Sequence, residues 1–405
     1  MKETPSSTSL NEIGNDTAWR TLLGRRYIAG RRFTLLHAAV YRTIDAVAEL
    51  LWPHRRAHDP ARPLPLDRIT VAKVDHIGDL LMATPFLAGL KRGHPGVSIL
   101  LIVGRWNRGC AELLKRIGLC DEVEYLDLPL LNGGGGLARL RTCLADVRRL
   151  RPLLRKREPS TFVELRPYTP NAIFLGGLAK AAYRVGFGTR GLAKLLDREI
   201  PYDGVVPMGQ LLLNALPLFG VPPEPGAEIY RGPVLPGFPK AESAGVAARF
   251  GLAPGGYFVL HMESREASRE VSAAVWTEIL TRVAPQGGGR RFVLVGKTAG
   301  PTGEAVLAAL AAAGIPALSV AGQTSFDDLF HLAQAAAGTI CIDSLGAHLS
   351  LSFRRPTLVL MRAGFSHYGS FPVQGADLPL FFAPVEEGEE EERAAAALRF
   401  TRAVV

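Results

Sequence analysis

The chain of 405 residues has only four cysteines, Cys110, Cys120, Cys143 and Cys341, and they are scattered. With no Cys-x-x-Cys pair and no Cys/His cluster, the sequence offers neither a disulfide framework nor a structural zinc site, and a reducing compartment fits. Long apolar runs are also missing; none approaches the roughly 20 residues that a membrane span needs. Glu3, Glu12 and Asp16 precede any apolar stretch, the wrong order for a signal peptide, so a cytoplasmic location is expected. Acidic residues are outnumbered, 38 against 47 Lys and Arg, for a net charge of +9 despite the run "EEGEEEER" at 386–393. The basic surplus sits in residues 17–58, with eight Arg against Asp45 and Glu49, and in "RRLRPLLRKR" at 148–157. Such stretches meet nucleic acid, anionic lipid or phosphorylated substrates, or form a solvated helix face. The Arg clusters carry little interleaved aromatic character and no nucleic-acid-binding motif, which argues against nucleic acid.

What is present is a repeated α/β pattern. At 47% apolar and 21% charged residues the chain suits a globular protein, and its length implies two domains. Residues 1–60 read as a disordered tail (1–16) and a basic arm of one or two amphipathic helices, in which Leu36, Val40, Ile44, Val47 and Leu51 recur at helical spacing. Such an arm either packs on a domain or lies on an anionic membrane, the latter placing the protein at the inner face of the cytoplasmic membrane. Residues 61–225 alternate strand-like runs ("RITVAKV", "VSILLIVG", "EVEYLDL", "TFVELRP", "YRVGF") with helical stretches such as "DLLMATPFLAGLKRGHP" and "NAIFLGGLAKA". A Pro-rich stretch at 217–239 reads as a linker, and the alternation restarts in 226–405 with "YFVLHM", "RRFVLVG", "ALSVAG", "GTICID" and "PTLVLMR". The expected fold class is α/β: two doubly wound parallel-sheet domains facing a cleft, with ligands at the C-terminal ends of the strands.

The chemistry-bearing residues fall at those strand ends. In "VDHIGDLLMATP" Gly78 permits close backbone approach. Asp79 opens a helix, where its carboxylate is stabilised in ionised form and available to take a proton from a hydroxyl. His76 and Asp75 alone are too few ligands for a metal, and none is expected. In "CIDSLGAHLS" a strand delivers Asp343 and Ser344 to a helix start, with His348 one turn in. A helix N-terminus suits a phosphate, and Ser344 either caps the helix or binds a phosphate oxygen. "HMESREASREVSAAVW" offers Ser264 and Arg269, an Arg suiting a pyrophosphate. In "LVGKTAGPTGE", Glu304 is placed to accept hydrogen bonds from a ribose.

Three motifs in order resemble glycosyltransferase family 9, the bacterial heptosyltransferases of lipopolysaccharide core synthesis. "RITVAKVDHIGDLLMATPFLAGLKRGHPGVSILLIVG" resembles the family's first signature through Gly78, Asp79, Thr84 and Pro85. "VELRPYTPNAIFLGGLAKAAYRVGF" resembles its middle segment, with Arg184 and Gly186. "GQTSFDDLFHLAQAAAGTICIDSLGAHLSLSFRRPTLVL" resembles its C-terminal signature. The resemblance covers residues 68 to about 372. It implies a GT-B fold of two Rossmann-like domains, and an inverting, metal-independent transfer from a nucleotide sugar, typically ADP-heptose, to a lipopolysaccharide-core-type or other glycan acceptor. Asp79 then takes the place of the general base, and Asp343, Ser344, Leu345, Gly346 and His348 that of the donor site. Arg105, Arg108 and Arg166 are candidates to receive an anionic acceptor. No cofactor is implied.

The sequence departs from the family pattern in three places. "HMES" replaces the usual small-residue loop, Arg269 stands where a Lys is usual, and Leu345 holds a position that is normally glycine, with Gly346 following. Two other functions therefore stay open: a sugar-nucleotide epimerase or hydrolase, and a degenerate relative that binds nucleotide sugar or lipid without transfer.

Overall fold

The computed structural model of the chain describes residues 12–13, 17–22, 25–30, 34–51, 64–126, 136–158, 160–167, 183–189, 191, 193–202, 206–222, 229–264, 269–362, 371–372 and 378–404. Most of the expected tail, the glycine stretch 132–135 and the helix expected over 171–181 lie outside these residues. The chain divides into two compact units, Met1–Tyr230 with Ser366–Pro372, and Arg231–Phe365 with Val373–Val405.

The first unit opens with a small antiparallel sheet of β1 (Glu12–Ile13), β2 (Thr17–Leu22) and β3 (Arg25–Gly30), followed by helix α1 (Thr34–Leu51). One helix of the one or two expected is present, and a hairpin stands where the second would have lain. "TAWRTL" and "RRYIAG" are rich in Thr, Trp, Tyr and Ile, which favour strands, and Leu22 pairs with Arg25 across the two residues Leu23-Gly24. That length and glycine suit a hairpin, and the helical spacing of apolar residues begins only at Leu36, beyond it.

The unit's main sheet contains β4 (Arg68–Ala72), β5 (Ser98–Gly104), β6 (Glu122–Leu126), β7 (Thr161–Glu164), β8 (Tyr183–Gly186) and β9 (Arg198–Glu199). Its helices include α2 (Ile77–Met82), α3 (Thr84–Gly93), α4 (Arg108–Arg116), α5 (Gly136–Lys156) and α6 (Met208–Leu213). Every pairing is parallel, in the order β6-β5-β4-β7-β8-β9. Strands covered on both faces read as continuous apolar runs, which is why β5, "SILLIVG", is buried from Ile99 onward. Ala72, Leu100, Ile102, Leu150, Leu154 and Phe162 form one core between this sheet and α5. The single helix expected over "DLLMATPFLAGLKRG" is broken at Ala83 into α2 and α3. Pro85 has no N–H to offer the Leu81 carbonyl, and the Thr84 hydroxyl donates to it instead at 2.7 Å.

The second unit comprises α7 (Lys240–Arg249), β10 (Tyr257–His261), α8 (Ala273–Val283), β11 (Arg291–Val295), α9 (Gly300–Ala312), β12 (Ala317–Ser319), α10 (Phe326–Ala335), β13 (Gly338–Ile342), α11 (Leu345–Ser352), β14 (Thr357–Met361), β15 (Leu380–Pro384) and α12 (Glu390–Val404). Its sheet is again all parallel, β12-β11-β10-β13-β14-β15. β15 is a sixth strand beyond the five expected. Phe258, Leu260, Trp276, Phe292, Ile340 and Phe400 fill its core. The acidic run falls at the start of α12, where Glu390, Glu391 and Glu392 meet the positive end of the helix.

Both large sheets thus share one strand order, third-second-first-fourth-fifth-sixth. In each, the winding reverses between the first and fourth strands, which opens a crevice at their C-terminal ends.

Candidate active site

In the first unit that crevice lies between the ends of β4 and β7. β4 runs into Lys73, Asp75 and then Asp79; β7 ends at Glu164, with Arg166 two residues on. Lys73 is only 1% exposed. Its ammonium is ion-paired to the Asp75 carboxylate and donates to the Leu165 carbonyl at 3.0 Å. Arg166 pairs with the other oxygen of Asp75. The Asp75 backbone carbonyl accepts from Trp106 Nε1 and Asn107 Nδ2, both at 2.8 Å. Asp75, which the sequence left without a role, is therefore the hub that ties β4 to β7 and to the loop after β5. Gly104 is needed there, since a Cβ would sit 2.2 Å from the Trp106 ring.

Asp79 lies at the third position of α2, where its carboxylate accepts from the His76 N–H at 3.2 Å. Helix position alone would hold the carboxyl low. Desolvation, followed by the negative charge of Asp75, instead raises its pKa above the ordinary value, against the smaller pulls of Lys73 and His76. A carboxylate so placed is a stronger base than a solvated one. Glu164 is fully buried, and its carboxyl oxygens make no well-formed hydrogen bond among the described residues beyond the nearby Arg166 backbone N–H. Burial and Asp75 push its pKa well up, so its neutral form is favoured. Of the three expected acceptor arginines, Arg166 is committed to Asp75. Arg105 is exposed at the end of β5, and Arg108 lies over the Tyr125 ring, 5.7 Å from its centroid.

In the second unit the crevice lies between the ends of β10 and β13. Arg269 donates to the Asp343 carbonyl at 2.9 Å and sits 3.2 Å from its carboxylate. Ser344 does not cap α11 with its side chain, which corrects one of its two expected roles. Its hydroxyl meets His261 Nδ1 at 3.0 Å, across the crevice from β13 to β10. Gly346 permits this contact, because a Cβ there would lie 2.6 Å from the His261 Cβ. His348 is buried, and desolvation, with a smaller contribution from Arg269, pushes its pKa down to about 4. It is neutral near pH 7 and offers a ring N–H rather than a charge. Leu345 is half-buried at the helix start.

Arg269, Val271, Asp343, Leu360, Met361 and Arg362 line a small pocket, which adds Arg362 to the arginine found from sequence. Ser264 is half-buried after β10, next to residues 265–268, which lie outside the description. Glu304 is exposed on α9. The acidic side chain that organises this edge is Glu263. Its carboxylate accepts from the Lys297 and Thr298 N–H groups, each at 2.9 Å. Gly296 takes φ +142° beneath it, with a would-be Cβ 2.9 Å from Glu263. Sequence reasoning missed Lys73, Glu164, His261, Glu263 and Arg362. For Lys73 and Glu164 a signal was present, an ionisable residue inside an apolar strand run, which is costly unless it serves a purpose. Among the described residues, no three His, Cys, Asp or Glu side chains gather as a metal-binding set.

No family model matches the chain, and no curated protein matches it in sequence. Solved structures do match. A family 9 glycosyl transferase from Veillonella parvula superposes with a TM-score of 0.66 at 15% identity, over 84% of this chain and 99% of that one. E. coli ADP-heptose lps heptosyltransferase II gives 0.61 at 17% identity, over 82% and 99%. An E. coli heptosyltransferase with ADP-2-deoxy-2-fluoro heptose gives 0.58 at 14% identity, over 83% and 99%. The fold is GT-B. In GT-B terms the Asp79 crevice belongs to the N-terminal sheet and the Arg269–Asp343 crevice to the C-terminal one. At these identities the likeness fixes the architecture and leaves the chemistry to the residues.

Proposed function

We propose that the chain is an inverting, metal-independent glycosyltransferase that moves a heptose or related sugar from a nucleoside-diphosphate donor, ADP-heptose first among candidates, to a lipopolysaccharide-core-type or other glycan acceptor. One observation carries this reading: both sheets place their ionisable residues at the crevice between first and fourth strands, carboxylates in one and arginines beside a helix start in the other. The second unit holds the donor. Arg269, Arg362 and the first-turn N–H groups of α11 face the diphosphate, and His348 adds a neutral donor. The first unit supplies the base. Asp79 removes the acceptor hydroxyl proton as that oxygen attacks the anomeric carbon. The bond from that carbon to the diphosphate oxygen breaks, and the nucleoside diphosphate leaves with the electron pair. Asp75, held by Lys73 and Arg166, keeps Asp79 poised without touching substrate. Glu304 and Ser264 are proposed as contacts to the donor's ribose and phosphates, and Arg105 and Arg108 as contacts to an anionic acceptor.

The test is Asp79→Asn, assayed for donor binding by thermal shift and for sugar transfer. Binding is expected to stay while turnover drops about 10²–10⁴-fold, the usual worth of a general base. Near wild-type turnover would remove Asp79 from the mechanism. Donor binding by the wild type with no transfer to any acceptor would favour the binding-only alternative, and donor breakdown without acceptor would favour epimerase or hydrolase chemistry.

A further inference from the structure

Helix α1 carries an apolar face that the described residues leave open. Leu35, Leu36, Val40, Val47 and Leu50 are 60, 60, 46, 48 and 77% exposed, and they are five of the nine large hydrophobic side chains exposed among the described residues. At about 100° per residue they share one side of the helix, with only Ala39, Thr43 and Ala46 between them. That side bears no charge. The opposite side is anchored: Ala38 is fully buried, and Ile44 packs with Leu195 and Leu196. The Asp45 carboxylate accepts from the Ala193 N–H at 3.1 Å. Both acids of the segment are thereby occupied, since Glu49 pairs with Arg42 at 3.6 Å. What remains of the charge in residues 17–58 is the arginine excess, part of it in the β2–β3 hairpin that lies against α1.

We propose that this face of α1 docks on an anionic lipid bilayer, lying in its surface. Apolar side chains on one side of the helix, in a segment whose sequence carries eight Arg against two acids, match an interface of acyl chain and anionic headgroup, whereas a second copy of the chain would bring a like charge. The helix lies on the bilayer rather than crossing it; no helix among the described residues is long and apolar enough to span. The proposal goes beyond the transfer reading and does not rest on it.

The experiment is co-sedimentation of the full chain with vesicles of phosphatidylcholine alone or with about 30% phosphatidylglycerol. The wild type is expected to bind the anionic vesicles, more weakly as salt rises, and the neutral ones poorly. Leu36→Ser with Leu50→Ser, which leaves every charge in place, is expected to weaken partitioning at least about tenfold. Its circular dichroism and its thermal shift with nucleotide sugar, measured without vesicles, should match the wild type. Undiminished binding by the double variant, no binding by the wild type, or a dimer in light scattering that the variant dissolves would each overturn the proposal.

Discussion

Glu164→Gln tests the electrostatics of the first crevice directly. The two side chains have nearly the same shape, so the change removes a titration and little else. Two cations, Lys73 and Arg166, stand against three carboxyls, Asp75, Asp79 and Glu164. If Glu164 is neutral and the other two are ionised, the charges balance; if Glu164 ionises, the cluster carries an excess negative charge at its buried end. The sign follows from linkage. The folded protein holds the Glu164 proton more tightly than the unfolded chain, whose glutamates release theirs near the ordinary value of 4.5. Between that pH and the raised folded pKa, the wild type therefore loses stability as pH rises, by about 1.4 kcal/mol per pH unit from this group. The variant lacks the loss, and other groups cancel in the difference. Above pH 5 the stability difference should therefore shift toward the variant at that slope until the raised folded pKa is passed. A constant offset from the new amide N–H groups does not alter that slope. Urea unfolding at pH 5, 6, 7 and 8, followed by tryptophan fluorescence and circular dichroism to separate the two units, measures it. A difference that stays flat from pH 5 to 8 would refute the neutral, buried Glu164.

Further outcomes follow from the same geometry. Lys73→Met leaves Asp75 with Arg166 alone and removes a positive charge near Asp79. The first unit should lose about 3 kcal/mol, and the acid limb of the transfer rate should move to higher pH, read from a pH–rate profile. Arg269→Ala should weaken nucleoside diphosphate binding about 10- to 100-fold in calorimetry; unchanged affinity would take Arg269 out of the donor site. Gly346→Ala forces a methyl against His261 and should cost about 1–3 kcal/mol in the second unit's unfolding, with donor affinity falling alongside. His348 is depressed to about 4 from 6.5, so it contributes stability that is present above pH 6.5 and lost as pH falls toward 4. His348→Gln should remove about 2.4 kcal/mol of that acid loss, seen in denaturant midpoints at pH 4.5 and 7.

The fold was legible where burial imposed a pattern. Parallel strands covered on both faces have to be apolar throughout, so β5 and β13 stood out as "SILLIVG" and "GTICI". Gly78-Asp79 and Asp343-Ser344 were visible because polar residues directly follow such runs. The hairpin of β2 and β3 was obscured by the density of arginines beside the apolar helical pattern of α1, although Leu23-Gly24 offered the better clue. The partners of these residues could not be read at all. Asp75 meets Arg166 from β7, and Ser344 meets His261 from β10, only because first and fourth strands pair in each sheet. Such contacts join residues 83 to 91 positions apart, and local periodicity carries no trace of them.

Charge also bears on which unit would take which substrate in the proposed reaction. A nucleoside diphosphate brings concentrated negative charge, and the pocket at the end of β13 and β14 is lined by two arginines and one aspartate. At the end of β4 the balance is even with Asp79 ionised and turns negative if Glu164 loses its proton. A diphosphate there would face a carboxylate whose pKa is already raised, and would drive it to bind a proton, which ends its use as a base. An acceptor hydroxyl brings no such charge and gives up its proton more readily to a carboxylate held above its ordinary pKa. In the proposed reaction, electrostatics at each strand end therefore favours the diphosphate in the second unit and the uncharged reacting hydroxyl, whatever charge the rest of the acceptor carries, beside Asp79 in the first.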